Sequence, residues 1–165
     1  MKIRLVIFFS LFLKMALCQN LAVTKRSLVK LFKSSIQQES RKTISIGSGT
    51  WTICNQDSAF FKSPIIRLYS NKNYFYQLDK CCEFINWTFY RKDLFLQSDS
   101  QICNEPASAG VKSKYYQTQI TNKNGNTILL IKSREGEEQK FEVIEINKIP
   151  LAQNNSTDEI ILKRI

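Results

Sequence analysis

The sequence contains no histidine. That absence removes Ser-His-Asp and Cys-His nucleophile systems and every histidine-ligated metal site. Glycine occurs five times and proline three times. So few glycines leave no Walker-type or dinucleotide-binding loop, and the scarcity of both residues excludes collagen-like and low-complexity chains. No repeat at a solenoid or propeller period is present. Carboxylate pairs such as Asp79 with Glu83, or Glu142 with Glu145, read as surface charge, because nothing around them marks burial that would shift a pKa. The expectation is a non-enzyme without a cofactor or metal.

What is present is a globular composition, 43% hydrophobic and 12% aromatic over 165 residues. That length predicts one domain with a sizeable core. The first eighteen residues read as a signal peptide, which predicts a secreted or periplasmic protein. Lys2 and Arg4 form a basic start, Leu5 to Leu13 is an apolar run too short to span a bilayer, and Ala16-Leu17-Cys18 offers a cleavage site before Gln19. In a bacterium the alternative is a lipoprotein acylated at Cys18.

The formal charge of +10 is uneven along the chain. Between 19 and 42, Lys25, Arg26, Lys30, Lys33, Arg41 and Lys42 face Glu39 alone. A basic helical segment is expected over 19–46, with the helix at Thr24 to Gln38. Leu28, Val29, Leu31, Phe32 and Ile36 fall mostly on one face with lysines around the rest. The ordinary reading is a helix packed over one end of the domain with a solvated basic face. The functional reading adds an anionic contact, to glycan or membrane, through Lys25, Arg26, Lys30 and Lys33. Nucleic acid fits poorly, since the charge density is low and no aromatic residues interleave with the lysines.

Behind a signal peptide, the four remaining cysteines, Cys54, Cys81, Cys82 and Cys103, predict two disulfides. Joining neighbours Cys81 and Cys82 would make a strained ring, so Cys54 takes one of them and Cys103 the other. The spacing fits neither a zinc knuckle nor a redox C-x-x-C. Asn86, Asn154 and Asn155 head glycosylation sequons, and Asn86 falls inside an expected strand.

From Gly47 onward the pattern is of strands and turns. Strands are expected at Thr50 to Asn55, Ile65 to Ser70, Tyr74 to Leu78, Phe84 to Tyr90, Leu94 to Gln97, Lys114 to Asn122, Thr127 to Ser133 and Lys140 to Ile146. A loop is expected over 98–112, and Asn124-Gly125 is the strongest hairpin signal. About eight short strands with tight turns favour an all-β antiparallel meander, forming a small barrel rather than a sandwich because closure removes exposed edges. Tyr69, Tyr74, Tyr76, Tyr115 and Tyr116 suit either a barrel mouth or an interface.

Gly49-Thr50-Trp51 at the head of the first strand, preceded by a short helix, resembles the Gly-x-Trp opening of lipocalins and lipocalin-like extracytoplasmic domains. Trp87, Phe89, Asp93 to Leu96, Tyr116 to Ile120 and Thr127 to Ile131 continue the likeness over about 47–149. The resemblance implies a lipocalin-like barrel domain over 47–165, with Trp51 packed across one barrel end. The expected function is a secreted, disulfide-stabilised binding module for a small apolar ligand or a partner protein. The alternative is an anionic-surface binder acting through 24–42. A third idea is a secreted inhibitor presenting the 98–112 loop.

Overall fold

The computed structural model describes residues 20–21, 23–37, 49–70, 81–103, 108–109, 113–151 and 156–165. The expected leader at 1–18, the expected strand at Tyr74 to Leu78, and Asn154 and Asn155 lie outside these residues. Helix α1 spans Lys25–Gln37, within one residue of the expectation at each end. A short 3₁₀ turn, Gln56–Ser58, leads into α2, Ala59–Lys62. The strands are β1 Asn20–Leu21, β2 Thr50–Cys54, β3 Ile65–Tyr69, β4 Glu83–Arg91, β5 Leu94–Gln101, β6 Ser108–Ala109, β7 Lys114–Lys123, β8 Asn126–Ser133, β9 Glu138–Pro150 and β10 Ser156–Arg164.

Eight of these strands close an antiparallel barrel in the order β2-β4-β5-β7-β8-β9-β10-β3 and back to β2. The meander is unbroken from β4 to β10, save for the two-residue β6, which pairs β5 outside the ring. β1 extends the sheet beside β9, through Asn20↔Asn147 and Leu21↔Ile146. At the seam, β3 lies on the far side of β2 and closes the ring against β10. Asn124 and Gly125 both adopt positive φ in the β7–β8 turn, the geometry that matches a hairpin turn to strand twist.

Alternation along the strands fills the interior. Trp51, Trp87, Phe89, Phe95, Tyr116, Leu129, Ile131, Phe141, Ile146, Ile160 and Leu162 are all buried there. Their rings touch in series. Phe89 and Phe95 lie 5.1 Å apart, Phe95 and Trp87 4.8 Å, and Phe95 and Tyr116 5.3 Å. The interior is thus crossed by a run of aromatic contacts, each adding to the area removed from water.

Two helices cover the ends. Thr24 and Ser27 cap α1 reciprocally, each backbone N–H donating to the other's side-chain oxygen at 3.0 Å. This satisfies donors that the first helical turn leaves free. Leu28 and Phe32 of α1 are fully buried. Phe32 stacks on Phe89 at 4.3 Å and meets Trp51 edge-on at 5.7 Å. At the other end, α2 sends Phe60 inward, and the Arg164 guanidinium lies over the Phe60 and Phe141 rings.

Two strand expectations are corrected. β5 runs on to Gln101, so 98–101 is strand rather than loop, and Ser100 and Gln101 pair with β6. β10 was not expected at all. Its Thr157, Glu159, Ile160, Ile161 and Leu162 are all buried, so polar and apolar residues do not alternate along it. Period-two patterning marks a strand only when one face meets water.

Candidate functional site

The amphipathic pattern of α1 is divided between two roles. Leu28 and Phe32 face the barrel, with Val29, Leu31 and Ile36 packed beside them. Lys25, Arg26, Lys30 and Lys33 are all exposed. Arg26, Lys30 and Lys33 stand at i, i+4 and i+7, so they share one helical stripe. The stripe extends about 10 Å along the axis. The helix contains no acidic residue, and none of the four cations forms an ion pair among the described residues. Four like charges are thus held on a helix seated by its apolar face.

The disulfides are Cys54–Cys81 and Cys82–Cys103. One bridge therefore ties the end of β2 to the chain entering β4, and the other clips the base of the β4–β5 hairpin. Cys54, Cys81, Phe84, Tyr69 and Ile149 form a small apolar cluster outside the main core.

Beside it on the outer wall sits a buried carboxylate. Ile160 and Leu162 point inward, so Glu159 points out, yet only 4% of it is exposed. Arg67 Nη1 and Tyr69 OH donate to its Oε1, both at 2.8 Å, and Asn147 Nδ2 donates to Oε2 at 2.9 Å. Burial pushes this carboxyl up, but the bonds from Asn147, Arg67 and Tyr69 together hold it below the ordinary glutamate value. Such donors favour the ionised form. The cluster joins β3, β9 and β10 across the barrel seam.

Other sequence candidates are placed as follows. Trp51 is buried at the end covered by α1, and its Nε1 has no hydrogen-bond partner among the described residues. Asn86 sits half-buried on β4, accepting from Thr52 Oγ1 at 3.1 Å and donating to Ser100 Oγ at 2.9 Å. Among the tyrosines, Tyr116 is in the core and Tyr69 in the Glu159 cluster, while Tyr115 is exposed; Tyr74 and Tyr76 lie outside the described residues. Tyr115 meets two residues that sequence reading passed over, Tyr90 and Arg134. Their contact depends on the register of β4, β5, β7 and β8, which no local pattern carries.

The closed eight-stranded antiparallel barrel is the class of fold a lipocalin-like domain has. No family model, curated protein or solved structure matches the chain. Among the described residues no helix is long and apolar enough to cross a membrane.

Proposed function

We propose that this is a secreted, non-catalytic binding module of lipocalin-like type that works through its outer surface, holding an anionic polymer against the basic face of α1. The observation that carries this reading is the stripe of Arg26, Lys30 and Lys33, unpaired among the described residues, with Lys25 at its head, on a helix without acids. Two further features support it. A helix that inserts into lipid uses its apolar face, and here Leu28 and Phe32 spend that face on the barrel. The remaining contact is electrostatic, which suits a polyanion better than a bilayer. The run of aromatic contacts through the interior likewise favours the outer surface over carriage of an apolar ligand inside.

The test compares wild type with the triple variant R26E/K30E/K33E on an immobilised polyanion, between about 0.05 and 0.3 M salt, where screening changes strongly. Wild type should be retained at the low end and released at the high end. The triple variant should pass through unretained, with stability within about 0.5 kcal/mol of wild type, because the substituted positions are exposed. Equal retention of the two proteins, or retention indifferent to salt, would overturn the proposal.

A further inference from the structure

The outer wall of the barrel carries an aromatic and cationic platform built across strands. Tyr90 of β4 and Tyr115 of β7 are each 43% exposed. Their rings meet nearly perpendicularly, with centroids 6.3 Å apart. The guanidinium of Arg134, just past the end of β8, lies over the Tyr115 ring at 4.6 Å. Its backbone N–H donates to Tyr115 O at 3.2 Å, so the two residues are tied by main chain as well. Thr88, Leu96, Tyr115 and the β8 end follow one another across β4, β5 and β7 by register. Four strands of a closed barrel therefore carry the platform, with Tyr90 at the bulge between Phe89 and Arg91.

The charge around it is open. Arg91, Lys92 and Arg134 are exposed, and none forms an ion pair among the described residues. Tyr90 directly follows Phe89, which stacks on Phe32 of α1. The platform thus begins at the barrel rim on which the helix is seated.

We infer that Tyr90, Tyr115 and Arg134 form a subsite for an acidic glycan, a sugar chain bearing sulfate or carboxylate groups. Tyrosine rings present a flat apolar face and a hydroxyl, which suits the C–H face and hydroxyl groups of a pyranose. A guanidinium fork already stacked on a ring offers parallel donors to a sulfate or carboxylate. A polyanion without sugar rings would use the cations and leave the ring faces idle. The inference rests on the anionic-polymer reading above and names its chemistry: the polymer is recognised as a carbohydrate and not only as charge.

The experiment uses the full chain and two probes, a heparin oligosaccharide and an inorganic polyphosphate of similar total charge. The variants are Tyr115→Ala, Tyr90→Ala and Arg134→Lys, alongside R26E/K30E/K33E. Tyr115→Ala is expected to weaken heparin binding about fivefold, the scale of one lost stacking contact with its cation, and to leave polyphosphate binding unchanged. Arg134→Lys should weaken heparin binding despite the conserved charge, because an ammonium has no planar fork. Part of the Tyr115→Ala loss should survive at high salt, where the α1 contribution is screened. Equal effects of Tyr115→Ala on both probes, or none on either, would overturn the subsite. If R26E/K30E/K33E leaves heparin binding intact while the tyrosine variants lose it, the helix reading fails and the subsite stands. The reverse pattern removes the subsite and keeps the helix. Both tyrosines are exposed, so the variants should keep their thermal midpoints, which separates lost binding from lost fold.

Discussion

At the scale of single residues, Glu159 links pH to stability. Its folded carboxyl is held below the ordinary value by donors from three side chains. A depressed carboxylate contributes stability that is complete above the unfolded value of about 4.3 and is lost as pH falls through the folded pKa. Glu159→Gln keeps the shape but turns one acceptor into a donor facing other donors. The variant should be less stable by about 1–3 kcal/mol near neutral pH, the cost of a charge-assisted cluster left unsatisfied. The gap should close as acid protonates the native residue. Neighbouring Asp158 has the opposite sign, since burial raises its pKa. It is present in both proteins and drops out of their difference. Urea melts of wild type and variant across the acid range check this. A gap that stays constant with pH would show that folding leaves this carboxyl's pKa unshifted, and one that widens toward acid would show that Glu159 is folded as the neutral acid. Sequence reading could not find this carboxylate. Its burial comes from a wall of the barrel whose outer face is also covered, and its partners stand 92, 90 and 12 residues away.

At the scale of elements, the helix was legible because its apolar and basic positions separate cleanly at period 3.6. The β7–β8 hairpin was legible because Asn124-Gly125 leaves few alternatives. Strand β10 was not, for it is buried on more than one side and loses the alternation that marks a strand; β9 beyond Ile146 was not either, for only Asn147 is buried there. Between legible helix and legible strand lies Gly49, where the two elements meet. Its φ is +71°, and a Cβ there would stand 2.7 Å from Phe89 O, with Ser35 O and Ile36 Cα of α1 at 3.5 and 3.6 Å. The glycine therefore lets the chain entering β2 close down on β4, with the end of α1 in ordinary contact beside it. Gly125 has a similar φ of +83° but nothing within 4 Å of its missing Cβ. Gly125→Ala should lose about 1 kcal/mol, the cost of left-handed backbone alone. Gly49→Ala should lose roughly 2–4 kcal/mol, because the clash adds to that strain. Thermal melts of the pair separate the two effects. Equal losses would mean that the chain at Gly49 is not held against Phe89 at this point.

At the scale of the whole molecule, one disulfide stands where the meander is interrupted and the other at the base of a hairpin. β3 and β4 flank β2 without pairing to each other, and Cys54–Cys81 ties the end of β2 to the residue entering β4. Cys82–Cys103 supports a hairpin that its own ladder already holds. Glu83 pairs with Gln101, and Ile102 N–H donates to Cys82 O at 3.0 Å. The bridges span 27 and 21 residues, so chain entropy alone assigns each about 3–4 kcal/mol and does not rank them. The folded state does. Cys103 is exposed, whereas Cys81 is 7% exposed within the Tyr69–Phe84 cluster. A thiolate must reach a sulfur to open the bond. Under mild reductant Cys82–Cys103 should therefore open first, leaving a species with two alkylatable thiols and an unchanged near-ultraviolet spectrum. Cys54–Cys81 should open only with global unfolding. By the same reasoning C82A/C103A should still fold, and C54A/C81A should lose more stability, because its substitutions empty a buried apolar cluster beside the β2–β4 ladder. Timed alkylation with peptide mapping reads the order directly. If both bridges open together, or Cys54–Cys81 opens first while the barrel persists, the β2–β4 ladder holds that corner of the barrel without the disulfide.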